Sequence, residues 1–126
     1  KLQPLNGPQE EYVVKTNAAT DALVWITSAP DGAARDIIGQ RVTLAWTLPA
    51  TVVIDEVNLQ GTAHAGVPED VGTVCDIWGD ALGRTATSGS IDIPTTCDGR
   101  TVIWVELFVN IEGVNGEEMS AYRAYH

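Results

Sequence analysis

Lysine is nearly missing from this chain. Of 126 residues only Lys1 and Lys15 are lysines, and the seven basic residues face 17 acids, for a net charge of −10. No basic cluster is present, so binding to a phosphate backbone lacks its driving force, and nucleic acid is excluded as a partner. An anionic membrane surface is disfavoured for the same reason. No run of 18 apolar residues occurs, so no membrane insertion is expected. Histidine is scarce too. Beside the two cysteines only His64 and His126 are available, and the four lack the spacing of a zinc site, so zinc is discounted. No G-x-S-x-G is present, and Ser88-Gly89-Ser90 lacks the strand–turn–helix setting of a nucleophile elbow. His64 lies in G-T-A-H-A-G, read as a loop, with no nucleophile beside it. The acids are scattered and spell no calcium loop. Glu69, Asp70 and Asp76 are the ones from which a calcium site would be drawn. These absences predict a protein without catalytic residues, metal or cofactor.

What is present is a globular composition, 44% hydrophobic and 19% charged, in one domain's length. Four Trp against one Phe and one Met is an unusual balance. Trp brings a large apolar area and one N–H donor, and is enriched in cores and interfaces alike.

The clearest element is residues 40–47, QRVTLAWT. Val42, Leu44 and Trp46 alternate with Thr43, Ala45 and Thr47, a period of two that puts the large apolar side chains on one face of a strand. Similar signals predict strands at 22–28, 52–60, 73–78, 87–94, 101–111 and 118–125. They are separated by turn residues such as Asp31-Gly32 and Asn115-Gly116. Residues 61–72, rich in Gly, Pro and acid, read as a loop, and 33–38 as no more than a turn. Seven short strands predict an all-β sandwich over residues 22–126. Residues 1–21 form a separate extension. KLQPLNGPQ suits an extended chain, and EYVVKT at 11–16 has strong strand propensity.

The approach WITSAP at 25–30 leads to VTLAWTLP at 42–49, followed by ATSGSIDIP at 86–94, VELFVN at 105–110 and a closing strand. In that order these segments resemble a bacterial extracellular immunoglobulin-like or fibronectin type III-like module. The resemblance implies an immunoglobulin-like β-sandwich with Trp46 as the core Trp of its second strand, located outside the cell or on its surface. Cys75 and Cys97 depart from it, because they miss the strands that carry the cross-sheet disulfide of that family. A disulfide is still the expected state of the pair in an exported β-domain. It would tie the fourth strand to the turn before the sixth. An exported chain of this kind would have shed its signal segment ahead of Lys1.

Two features bear on function. The strand at 101–111 is apolar on both faces, with Ile103, Val105, Leu107 and Val109 on one, and Val102, Trp104 and Phe108 on the other. Either the 61–72 loop covers Trp104 and Phe108, or a neighbouring chain does. The extension offers a parallel choice. Its strand, with Tyr12, Val13 and Val14, either folds back on its own domain or adds to the sheet edge of another copy. The leading expectation is a structural subunit that self-associates with copies of itself, as a pilus-like filament joined by N-terminal strand addition. Tyr12, Val13, Val14, Trp104 and Phe108 would form its interface. The alternative is a carbohydrate-binding or adhesion module of a larger cell-surface protein. Trp78, Tyr122 and Tyr125 would be its ligand platform, while Trp25 is read as core.

Overall fold

A computed structural model describes residues 9–16 as backbone and residues 24–66 and 72–126 in full. The described residues form nine strands and one short helix. They are β1 (Gln9–Thr16), β2 (Ile26–Ser28), α1 (Ala34–Ile37), β3 (Arg41–Trp46), β4 (Ile54–Ala65), β5 (Thr73–Trp78), β6 (Ser88–Asp92), β7 (Thr96–Cys97), β8 (Arg100–Gly113) and β9 (Glu118–Tyr125). The fold is an all-β sandwich of two antiparallel sheets. The large sheet runs β1-β9-β8-β4-β5, with β7 paired to β8, and the small one runs β2-β3-β6.

Period-two patterning sets the core. Val42, Leu44 and Trp46 of β3 and Ile91 of β6 face inward from the small sheet. Val57, Leu59 and Ala63 of β4 and Val105, Leu107, Val109 and Ile111 of β8 meet them from the large one. Fully burying an aliphatic side chain of this size contributes roughly 1.5–3 kcal/mol, so this row-on-row contact is the main cohesive term. Trp46 keeps its polar atom satisfied by donating Nε1–H to the Ala86 carbonyl at 3.0 Å.

Several expectations are corrected. The third predicted strand, 52–60, is observed as β4 and extends into the expected loop as far as Ala65, which brings His64 into β4 rather than a loop. Gly61 permits this. A Cβ there would lie 2.7 Å from the Glu106 carbonyl oxygen and 3.0 Å from Leu107, so only glycine lets β4 approach β8 this closely. The composition that suggests a loop is in part a packing requirement. β8 also departs from strict alternation. A register shift separates His64↔Trp104 from Ala65↔Val102, leaving Ile103 as the extra residue of a bulge. The bulge turns Val102 into the core and leaves Ile103 40% exposed, reversing the faces expected for both. Residues 33–38 do hold one helical turn, whose Ala34 and Ile37 are buried.

The sandwich is pinned at its ends. Cys75 of β5 and Cys97 of β7 form the expected disulfide, with a Cα–Cα distance of 5.9 Å. It is followed by a two-residue hairpin in which Asp98 (φ 51°) and Gly99 (φ 77°) are both left-handed, as an Asp-Gly turn between antiparallel strands requires. The Ala34 amide donates to the His126 carbonyl at 2.9 Å, tying α1 to the end of β9. Among the described residues no helix is long and apolar enough to cross a membrane.

Candidate functional site

β9, β8, β4 and β5 lie side by side, so beyond the bulge at Ile103 their even-numbered residues share the outer face of the large sheet. The register arranges them in rows. Trp104 stands opposite His64, then Glu106 opposite Ala124 and Thr62. Next come Tyr122, Phe108, Gln60 and Trp78 in one line, and beyond them Ser120, Asn110 and Asn58. The last row opposes Glu118, Glu112 and Glu56.

The rings cover one another. Trp104 is sandwiched between His64, with centroids 3.6 Å apart and planes 8° from parallel, and His126 at 4.7 Å and 17°. Phe108 leans on Tyr122 at 5.1 Å. The cover for Trp104 and Phe108 therefore includes cross-strand neighbours of the same sheet, an option the sequence reading did not contain. The glycines around His64 suggest a loop, whereas the even spacing of Asn58, Gln60, Thr62 and His64 is the signal of the strand. With both ring faces taken, Trp104 presents its edge to solvent.

Polar groups are interlocked in the same way. Glu106 accepts from Tyr122 Oη–H at 2.7 Å through one oxygen, and its other oxygen lies 2.7 Å from His64 Nε2. Asn110 donates to Asn58 at 3.2 Å and accepts from Ser120 at 2.6 Å. His64 is thus joined to a carboxylate, the feature an enzymatic reading would look for. It lies on a sheet face with Glu106 engaged on both oxygens. One depression, of about 230 Å³, is lined by residues including Glu56, Asn58, Asn110, Glu112, Glu118 and Ser120. A second is lined by Gly66, Gly99, Arg100, Thr101 and Ile103. Neither contains His64 or Glu106. Among the described residues the one close grouping of metal-ligand types is Cys75, Cys97 and Asp98, whose sulfurs are bonded to each other. Of the calcium trio, Glu69 and Asp70 lie outside the described residues, and Asp76 is exposed on β5.

The ligand platform does not assemble as expected. Trp78 is 67% exposed at the outer edge of β5. Tyr122 is on the same sheet face but only 6% exposed. Tyr125 is fully buried on the opposite face, where its hydroxyl donates to the Pro30 carbonyl at 2.8 Å. Odd and even residues of β9 face opposite ways, so Tyr122 and Tyr125 cannot share a surface. Trp25 is partly buried, and its backbone amide donates to Thr47 Oγ1 at 3.0 Å.

Tyr125 and Arg123 are the buried titratable pair of β9. Burial pushes the Tyr125 phenol up to about 12, partly opposed by Arg123, and burial pulls the Arg123 guanidinium down from its ordinary value. A phenol that ionises less readily when folded leaves stability intact below pH 10. That contribution is lost as pH rises from the unfolded value through the folded one. An alkaline loss of stability setting in above pH 10 and running to about 12 is therefore expected. Tyr125→Phe should flatten that limb in urea titrations. At pH 7 it should cost about 1 kcal/mol through the lost hydrogen bond to Pro30. An unchanged alkaline slope in the variant would show that another group is responsible. At the rim, Arg41 bonds Asp92 at 3.1 Å and pairs with Asp80. The Asp80 hydrogen bond is the main cause raising its guanidinium further.

The third element of interest is the β9 edge. β1 pairs antiparallel with β9 over its whole length, from Gln9↔Tyr125 to Thr16↔Glu118. Tyr12, Val13 and Val14 therefore hold register positions opposite Tyr122, Ala121 and Ser120. Of the two arrangements open to the extension, this one lies on its own domain.

No family model matches the chain, and no curated protein or solved structure matches it either.

Proposed function

We propose that this chain is a non-catalytic structural subunit of the cell exterior, an immunoglobulin-like or fibronectin type III-like module that self-associates through its N-terminal strand. The observation that carries the reading is β1 itself. It is an eight-residue strand ahead of the sandwich that contributes the outermost position of the large sheet. A terminal strand that completes an edge can make the same ladder on another copy, and head-to-tail addition that does not close gives a filament. The strand order supports the module type. The first, second and fifth strands of the main body stand in one sheet, and the third, fourth, sixth and seventh in the other, leaving β7 aside. The Cys75–Cys97 disulfide supports an oxidising compartment.

Removing residues 1–16 tests the proposal. The full chain is expected to give large assemblies in light scattering and negative-stain images. The truncated chain should give monomers with unchanged strand content by circular dichroism. Continued assembly of the truncated chain would sink the idea.

One observation favours a second reading, a carbohydrate-binding or adhesion module. The Trp78 indole is 67% exposed, beside the Gln60 amide in the cross-strand register. An open ring flanked by an amide suits a neutral sugar. Glycan-array binding by a monodisperse monomer, lost in Trp78→Ala, would favour this reading over the first.

A further inference from the structure

With β1 withdrawn, the large sheet would end in β5 on one side and β9 on the other, and these two edges differ in what they offer an incoming strand. On β5, Val74, Asp76 and Trp78 are all exposed, with a carboxylate in the middle of the strand. A charge in that position is a standard guard against edge-to-edge pairing. Cys75 also ties β5 to the β7 hairpin. β9 is the opposite case. Met119, Ala121, Arg123 and Tyr125 alternate along it and are all buried, so this strand belongs to the core. A strand laid beside it extends the core sheet.

The pairing also has a preferred register. Glu11 holds the position opposite Arg123, the one charged residue among the described residues that is fully buried. Acid and base at directly opposed positions favour a register, whereas a slip of one residue would turn the alternate residues of β1 to the wrong face. Exchange of identical strands between copies recreates identical contacts. The balance is then set by concentration and by the connection to β2 rather than by new interactions.

We infer that the acceptor surface for self-association is the β9 edge of a second copy of this chain, filled by β1 in the antiparallel register that sets Glu11 opposite Arg123. This rests on the self-association proposed above and adds where the partner strand goes. The β5 edge and the outer face play no part in it.

A cross-link reads the exchange directly. Val13 and Ala121 are directly opposed, and such pairs have Cα atoms about 4.5–5.5 Å apart, within disulfide range. The full-length double variant Val13→Cys/Ala121→Cys, oxidised at concentrations where light scattering shows oligomers, should give a ladder of covalent dimers, trimers and higher species on a non-reducing gel. Oligomers in solution with only internally linked monomer on the gel would overturn the assignment and leave self-association standing on another surface. A ladder from Val13→Cys/Val74→Cys instead would move the acceptor to β5. Absence of oligomers at every concentration would remove the underlying reading as well. Because Ala121 is buried, Glu11→Arg serves as a second variant. Loss of oligomers with an intact circular dichroism spectrum is expected, and unchanged assembly would overturn the register.

Discussion

Trp46→Ala is expected to lower unfolding free energy by about 3–5 kcal/mol, the range for truncating a large aromatic in a packed core. Trp46 is 3% exposed, sits at the end of β3 and packs over Gly89, where an added Cβ would meet the indole at 3.1 Å. Truncation opens a cavity between the sheets and removes the donor to the Ala86 carbonyl, so transfer, cavity and hydrogen-bond losses act together. Stabilities of 5–15 kcal/mol are typical of single domains, so this one change is comparable to the smaller end of that range. Urea denaturation followed by far-ultraviolet circular dichroism measures it. Trp104→Ala provides the contrast. Trp104 leaves from between two imidazoles on the outer face, no buried cavity forms, and the loss should be clearly smaller. Equal losses for the two tryptophans would show that the outer stack, rather than the inter-sheet core, holds the sandwich together.

Opening the Cys75–Cys97 bond should cost about 3 kcal/mol, the chain-entropy expectation for residues separated by 22 positions. The effect should also be localised. β5 is the outermost strand on its side and pairs only along β4, whereas β7 is a two-residue strand held on β8. Without the bridge, the closest tie between this edge and the β7 hairpin is gone. A Cys75→Ala/Cys97→Ala variant should therefore show a lower urea midpoint. In hydrogen exchange the amides of β5 should lose protection before those of β4, β8 and β9. Uniform loss across the whole sheet would mean that the bridge stabilises only through the unfolded chain.

These two predictions rest on features that were legible to different degrees. Val42, Leu44 and Trp46 announce their strand and its buried face in six residues, because alternation is a local property. β5 and β9 begin and end where turn residues and strand propensity put them. The Cys pair could be read as joined, and placed between a strand and the turn before β8, from composition and context. The Asp98-Gly99 hairpin carries a plain signal, an Asp-Gly pair with left-handed backbone at both positions. The strand ahead of it has only two residues, too short for alternation to mark it as a strand.

Other features had no local signature. Nothing next to Gly61 distinguishes a glycine that opens a loop from one that lets two strands touch, and the deciding atom is the Glu106 carbonyl 45 residues away. The bulge at Ile103 follows from how β8 must bend to stay paired with β4, so alternation alone assigns Val102 and Ile103 to the wrong faces. Tyr122 and Tyr125 look like neighbours in sequence, yet strand geometry sends one outward and the other into the core beside Arg123.

By itself the sequence determined that this chain folds as layered strands and that Trp46 lies between the layers. Each of these follows from residue type and a period of two. Only the tertiary structure decided which rings cover Trp104, where His64 stands and which strand β1 completes. Those outcomes depend on contacts between residues 22 to more than 100 positions apart, set by sheet register rather than by any local pattern.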